Sequence, residues 1–575
     1  MEYKSEKRTC QNCKKDFTIE PEDFNFYEKI KVPPPTFCPE CRMIRRMAFR
    51  DYRVLYKRKC DKTGKIIFSI IPQDSFFKVW DRDIWWSDEW DSLDYGRDYD
   101  FNKNFFVQLK ELFVEVPSPS QTVWDMANSE YCTGAHSLKN CYLVFVSTNS
   151  EDSSYSAEIN ETKNSIDVTR IESSELCYES FALIKCYKVF FSSHCENCMD
   201  VWFSRDLSGC SSCFGCTNLR NKKYCIYNKQ HTKDEYEKII NDFNLGSYKS
   251  IEKIKNETNK IIGKSVRKFI EGRYNLNVSG EYINNSKNVS SSYYVIQGEN
   301  SKYIQCFFTP SFKDSYDCTL WGDNTELCYE CSSIGANSYN VKFCYRCTKN
   351  SQNCEYSLQC FGCSDIFGCS ALRNKQYCIF NKQYSKEEYF KLREKIIKHM
   401  NDVPFVDDKD RIYKYGEFFP AELAPFAYNE SLARDYFPLN KDQALIQNYR
   451  WKEKEERNYQ IDIKSENIPD NIKDVTEDIV GKVIECKNKE KNQDSCTEAF
   501  KVIKSELQFY KRINVPLPRF CPNCRHQERI KMRNAIKLYH RKCMKEGCEN
   551  EFETSYAPDR PEIVYCEACY NKEIY

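Results

Sequence analysis

The chain has 575 residues with 86 basic against 85 acidic side chains, a balance that excludes bulk polyelectrolyte character and confines any nucleic-acid reading to local patches. Its length supports several domains with ample core. No apolar run approaches a membrane span and the opening residues carry no apolar leader, so the 34 cysteines are expected as metal-bound or buried thiols in a reducing cytoplasm.

Residues 1–70 read as a zinc module. Cys10 and Cys13 form one pair, Cys38 and Cys41 another, and the chain between them is long enough for a hairpin. Two short Cys loops so spaced can close a tetrahedron around a soft cation. Arg42, Arg45, Arg46, Arg50 and Arg53 follow, and three- and four-residue steps place Arg46, Arg50 and Arg53 on one helical face. From 71 to 119, Trp80, Trp85, Trp86 and Trp90 are interleaved with Asp81, Asp83, Asp88 and Asp91. Such a segment can stack on sugars or bases, but it more often caps an exposed end of β-structure.

Residues 120–231 and 275–384 are two copies of one body. Gly215-Cys216-Thr217-Asn218-Leu219-Arg220-Asn221 returns as Gly368-Cys369-Ser370-Ala371-Leu372-Arg373-Asn374. Each copy runs into a helix start with capping-box spacing, Thr232 with Glu235 and Ser385 with Glu388. Short Tyr, Cys and Val strands alternate with polar corners such as Asn285-Ser286, Asn300-Ser301, Asp323-Asn324, Asn337-Ser338 and Asn350-Ser351. That short period suggests a mainly β fold of two tandem β-solenoid, parallel β-helix-like units with short connecting helices, and a pair of irregular antiparallel β-sandwiches is the other arrangement it permits. The 21 cysteines from Cys132 to Cys378 then either stack as a buried thiol ladder or use C-x2-C pairs, such as Cys210, Cys213 and Cys216, to hold metal or an iron–sulfur cluster. Stacking needs fewer assumptions. Residues 232–274 read as a helical connector, and 385–480 as a helix and an aromatic linker tying the second solenoid to the C-terminal module.

Residues 481–575 repeat the beginning of the chain. Val32 to Arg42, with Cys38-Pro39-Glu40-Cys41, reappears 483 positions later as Val515 to Arg525, with Cys521-Pro522-Asn523-Cys524. Cys496 matches Cys13, but Gln493 stands where Cys10 does, so Cys486 is the expected fourth ligand. Cys543, Cys548, Cys566 and Cys569 follow with paired spacing and form a third candidate site, whose N-terminal counterpart keeps only Cys60. About three structural zinc ions are expected.

A Cys pair, a hairpin and then Cys-Pro-x-Cys-Arg opening an Arg-rich helix resembles a treble-clef zinc finger. The whole arrangement is similar to a group of large bacterial zinc-ribbon proteins carrying V-P-x-P-x-x-C-P-x-C-R at both ends, with Tyr415-Gly416-Glu417-Phe418-Phe419-Pro420 in the same style. The resemblance implies treble-clef or zinc-ribbon modules flanking a Cys-rich repeat body; it brings no activity with it. Two basic faces, Arg42, Arg46, Arg50 and Arg53 at one end and Arg525, Arg529, Arg533 and Arg541 at the other, lie near Tyr52, Tyr56 and Tyr539 and suit the phosphates and unpaired bases of RNA or a ribonucleoprotein. They suit an intramolecular or protein dock equally, since residues 121–218 carry 13 acidic against 6 basic side chains. With no Walker loop, dinucleotide fingerprint, G-x-S-x-G or H-E-x-x-H, and six histidines of which His194 beside Cys195 and Cys198 is the most suggestive, the sequence leans away from an enzyme. The expectation is a non-catalytic cytoplasmic zinc scaffold or binding protein. The alternatives are a β-helix enzyme acting on glycans and a metal or redox protein using the central C-x2-C pairs.

Overall fold

A computed structural model describes residues 3–51, 53–306, 312–320, 326–332, 334–335, 337–454, 457–489 and 495–575; Tyr52, Asp323-Asn324 and Gln493 lie outside these. The fold is mainly β and divides into two compact units, residues 1–122 with 270–452 and residues 123–269 with 453–575. Neither unit is one stretch of chain. The N-terminal module shares its unit with the second repeat, and the C-terminal modules share theirs with the first.

In the unit built on residues 123–269 and 453–575, the repeat forms a 13-stranded, mostly parallel sheet. Its register advances by twelve residues: Val123 pairs Ala135, Ala135 pairs Ser147, Ala157 pairs Thr169, Ile171 pairs Leu183, and Leu183 pairs Cys195. Every third residue is left-handed, as at Tyr155, Glu158, Glu161, Asn164, Asp167, Arg170 and Ser173, with φ between 48° and 62°. That region is uncommon outside glycine because Cβ crowds the backbone. Here each corner N–H is bound by a carbonyl of the preceding step, Asp167 by Ser154 at 3.2 Å, Phe191 by Tyr178 at 2.9 Å and Phe203 by Phe190 at 3.0 Å. Between Asp167 and Val189 the residue after each corner is buried: Val168, Ile171, Ser174, Cys177, Ser180, Leu183, Cys186 and Val189. Sides only three residues long leave room for small inward side chains, and the polar ones donate to nearby carbonyls. Ser180 Oγ reaches the Tyr178 carbonyl at 2.9 Å, Cys186 Sγ that of Ile184 at 3.4 Å and Cys216 Sγ that of Phe214 at 3.4 Å. The C-x2-C spacing of the repeats is this three-residue period.

In the unit built on residues 1–122 and 270–452, the repeat forms a seven-stranded and a four-stranded sheet whose register steps run from 11 to 14 residues. Leu276 pairs Lys287, Gly298 pairs Phe312, Thr319 pairs Ser332 and Gln352 pairs Ser364. The Trp/Asp segment packs on the last strands: Trp86 lies 4.9 Å from Phe361, the Trp86 carbonyl accepts from Arg373 at 2.9 Å, and Asp91 pairs with Lys375 at 2.7 Å. The aromatic stretch after Tyr415 departs from expectation, since it packs on the N-terminal module. Phe418 and Phe419 stand 5.3 Å and 5.5 Å from Phe49, and Glu417 accepts from Thr36 N at 2.8 Å. Apolar rings carry no address in a sequence, so composition could not name their partner. Both expected capping boxes form, before the helices Lys233–Asp242 and Lys386–Asp402.

Candidate metal centres and the arginine docks

Three groups of four cysteines converge: Cys10, Cys13, Cys38 and Cys41; Cys486, Cys496, Cys521 and Cys524; Cys543, Cys548, Cys566 and Cys569. Within each group all sulfurs lie within 4.8 Å of one another, and among the described residues clusters of three or more metal-capable groups occur at these places alone. The first pair of each group borders an antiparallel strand pair, Glu6–Thr9 with Asp16–Ile19, Ile484–Glu485 with Ala499–Phe500, and Tyr539–Lys542 with Glu551–Thr554. The second pair opens a helix: Cys38, Cys521 and Cys566 are the N-caps of Pro39–Ala48, Pro522–Ile530 and Glu567–Ile574. Proline fits the first position of two of these helices because its missing N–H would be unpaired there anyway.

The chemistry of each corner favours thiolate and a closed tetrahedron. The positive end of a helix faces the sulfurs. Backbone N–H groups donate to them as well, Cys38 to Cys10 Sγ at 3.2 Å, Cys521 to Cys486 Sγ at 3.2 Å and Cys566 to Cys543 Sγ at 3.3 Å. Sulfur–sulfur separations of 3.7 Å for Cys13 and Cys38, and 3.9 Å for both Cys486 with Cys524 and Cys548 with Cys566, are far beyond a disulfide bond of about 2.05 Å. They match the roughly 3.8 Å edge of a tetrahedron with zinc–sulfur bonds near 2.3 Å. Four sulfur donors suit structural zinc and leave no position for a reactive water. Cys486, displaced from its expected register by the Gln493 substitution, stands with its three partners and is equally buried.

The first arginines after Cys-Pro-x-Cys face inward, in the intramolecular one of the two arrangements that the sequence left open. Arg42, Arg46, Arg525 and Arg529 are 1%, 0%, 3% and 2% exposed. Arg42 and Arg46 grip the two oxygens of Asp317 at 2.9 Å and 3.1 Å, and Arg46 Nε donates to Thr319 Oγ1 at 2.8 Å. At the other end Arg525 and Arg529 grip Asp167 at 2.5 Å and 2.8 Å, and Arg529 Nε donates to Thr169 Oγ1 at 3.2 Å. Arg42 also lies 5.1 Å from the Tyr303 ring and Arg525 4.7 Å from that of Tyr155. Arg50, Arg53, Arg533 and Arg541 are half-buried, with Arg541 donating to the Ala557 carbonyl at 3.2 Å. Burial alone would lower the Arg525 guanidinium, but Asp167, Tyr510 and Glu506 hold it well above its ordinary range; burial raises the Glu506 carboxyl in return.

Each dock stands on a column of left-handed corners that the sequence reading missed. Tyr155, Asp167, Glu179, Phe191, Phe203 and Gly215 follow at twelve-residue steps, and Tyr303, Asp317, Glu330, Phe343, Tyr356 and Gly368 repeat the order at steps of 12 to 14. The glycine is required by close approach, since a Cβ at Gly215 would meet the Tyr227 ring at 2.5 Å, whereas its φ of 65° is one that the other corners adopt with side chains. Aligning the two copies would have found it, since Tyr155, Asp167, Glu179 and Phe191 recur in order as Tyr303, Asp317, Glu330 and Phe343. His194 lies on a different stack, where its burial and the charges of Arg205, Arg267 and Arg170 hold its pKa well below the usual imidazole value.

No family model and no curated protein matches the chain. Among solved structures, a "putative acetyltransferase" from Desulfovibrio desulfuricans G20 aligns at 11% identity over 51% of this chain and 86% of that one, with a TM-score of 0.10, a likeness too slight to carry an argument.

Proposed function

We propose that the protein is a non-catalytic, zinc-stabilised scaffold in which two β-solenoid bodies are each locked by a treble-clef or zinc-ribbon module. The observation that carries this reading is the closure of all three four-sulfur sites: every corner is a cysteine, so the metal serves the fold. The twelve-residue parallel register and the inward ladder of Ser, Cys and aliphatic residues support the solenoid reading, because each step covers the apolar interior of the next. The conserved geometry of the two docks supports a scaffold, since the basic side chains best suited to an external partner are consumed in holding the body. An RNA partner would therefore have to be bound by side chains other than Arg42, Arg46, Arg525 and Arg529.

Elemental analysis and native mass spectrometry of anaerobically purified protein test this reading. About three zinc per chain without iron, and an ultraviolet spectrum free of co-purified nucleic acid, are the expected results. Stoichiometric iron, or zinc well above three, would move the function to the central thiols. Cleavage of a polysaccharide by the purified chain would replace the scaffold with a β-helix enzyme.

A further inference from the structure

The two docks share one pattern, but their helices differ at several positions, and at one of these a basic residue stands against an acidic one. Arg42 and Arg46 correspond to Arg525 and Arg529 by the 483-residue displacement, and Asp317, Thr319 and Tyr303 correspond to Asp167, Thr169 and Tyr155 in the bodies. By these contacts alone either finger could sit on either body. Arg45, however, corresponds to Glu528. Arg45 is buried and pairs with Glu330 at 2.5 Å and Glu417 at 3.4 Å. Glu528, by contrast, is exposed, and in its unit the column glutamate, Glu179, is already paired by Lys255 at 2.6 Å, with Glu252 a further 3.7 Å from Lys255. Glu528 also pairs with Lys531 at 2.6 Å.

We propose that the position held by Arg45 and Glu528 selects which body each zinc finger docks on. A positive charge there is matched by Glu330 of the second body and by Glu417 beside it. A negative charge is tolerated on the first body, where Lys255 pairs with Glu179 and Glu528 faces solvent. The C-terminal finger is refused by the second body, where Glu528 would stand against Glu330 and Glu417, and the N-terminal finger on the first body would lose the two carboxylates that hold Arg45. Discrimination between near-identical surfaces commonly uses such repulsion, because a shared attractive core gives affinity without choice.

Zero-length carbodiimide cross-linking of the full chain reads the docking, because Lys29 Nζ stands 4.0 Å from Asp314 Oδ2 of the second body and both side chains are partly exposed. The wild-type chain should give the Lys29 to Asp314 cross-link. Exchanging the selecting charges in R45E/E528R should reduce it about tenfold, as juxtaposed like charges require, and should join Lys29 to a carboxylate within residues 151–175 of the first body. Changing the bodies to match, in R45E/E330R/E528R/K255E, should return the original cross-link. Its persistence in R45E/E528R, its loss there without a first-body product, or its failure to return in the fourfold variant would each overturn the proposal.

Discussion

The hairpin and helix at residues 539–574 and their displaced counterpart at residues 56–86 hold the same corner by different means. In the first, Cys543, Cys548, Cys566 and Cys569 converge as a zinc site. In the second only Cys60 remains. The Asp81 N–H donates to Cys60 Sγ at 3.3 Å, as the Cys566 N–H does to Cys543 Sγ at 3.3 Å, and Asp81 caps the helix Arg82–Trp86 where Cys566 caps its own. The tie that zinc would make is replaced by Asp61, which takes Arg58 at 2.7 Å and the Val79 N–H at 2.6 Å, while Arg58 also donates to the Pro72 carbonyl at 2.8 Å. A charged hydrogen-bond hub can thus stand in for a metal where the hairpin already packs on a body. The third zinc site is accordingly the least indispensable of the three, and the half-exposed positions of Cys548 and Cys569 agree with that.

The comparison can be broken most severely at the second zinc site, whose four ligands are all buried at the foot of the arginine dock. C524S should abolish cooperative folding of the unit built on residues 123–269 and 453–575, as loss of a structural zinc worth about 10 kcal/mol or more implies. C548S should lower the zinc count by one and leave that unit folded; elemental analysis with thermal unfolding followed by circular dichroism separates the two. R529A should cost about 3–5 kcal/mol, because Asp167 would keep a buried charge against Arg525 alone. Denaturant titration measures this. D61A should cost about 2–3 kcal/mol in the other unit by removing the counterion of Arg58 and the acceptor of the Val79 N–H, again read by denaturant.

The smallest effect is a pH dependence. The folded chain holds His194 neutral, with its pKa pushed well below the ordinary 6.5, so the unfolded chain binds the extra proton first. Stability should therefore fall as pH drops below about 6.5, by at most roughly 1.4 kcal/mol per unit until the folded pKa is reached. H194Q should flatten that acid limb in unfolding titrations between pH 7 and 5, with little change at pH 8.

The zinc ligands were legible because a tetrahedral sulfur site is written locally, as two short cysteine pairs. One ligand, Cys486, had to be inferred across the Gln493 substitution. The capping boxes at Thr232 and Ser385 were legible for the same reason, since each closes over three residues. The three-residue period was also present, at Cys195 and Cys198 or at Cys210, Cys213 and Cys216, but it admits two explanations, metal ligation and inward packing, until register is known. The left-handed corners were less visible. Val146, a β-branched residue at φ 53°, is a poor local choice that only the hydrogen bonds of neighbouring steps sustain.

What the sequence by itself determined is therefore local chemistry: which cysteines can hold zinc, where helices start, and that both fingers and bodies are duplicated. What only the tertiary structure decided is the direction in which that chemistry points. The arginines after Cys-Pro-x-Cys look like an exposed basic face because their partners, Asp317 and Asp167, lie more than 270 residues away in the chain. A buried guanidinium needs its carboxylate in space and nowhere in sequence. Folding brings the two together, and it turns an apparent surface for phosphates into the internal fastening of each body.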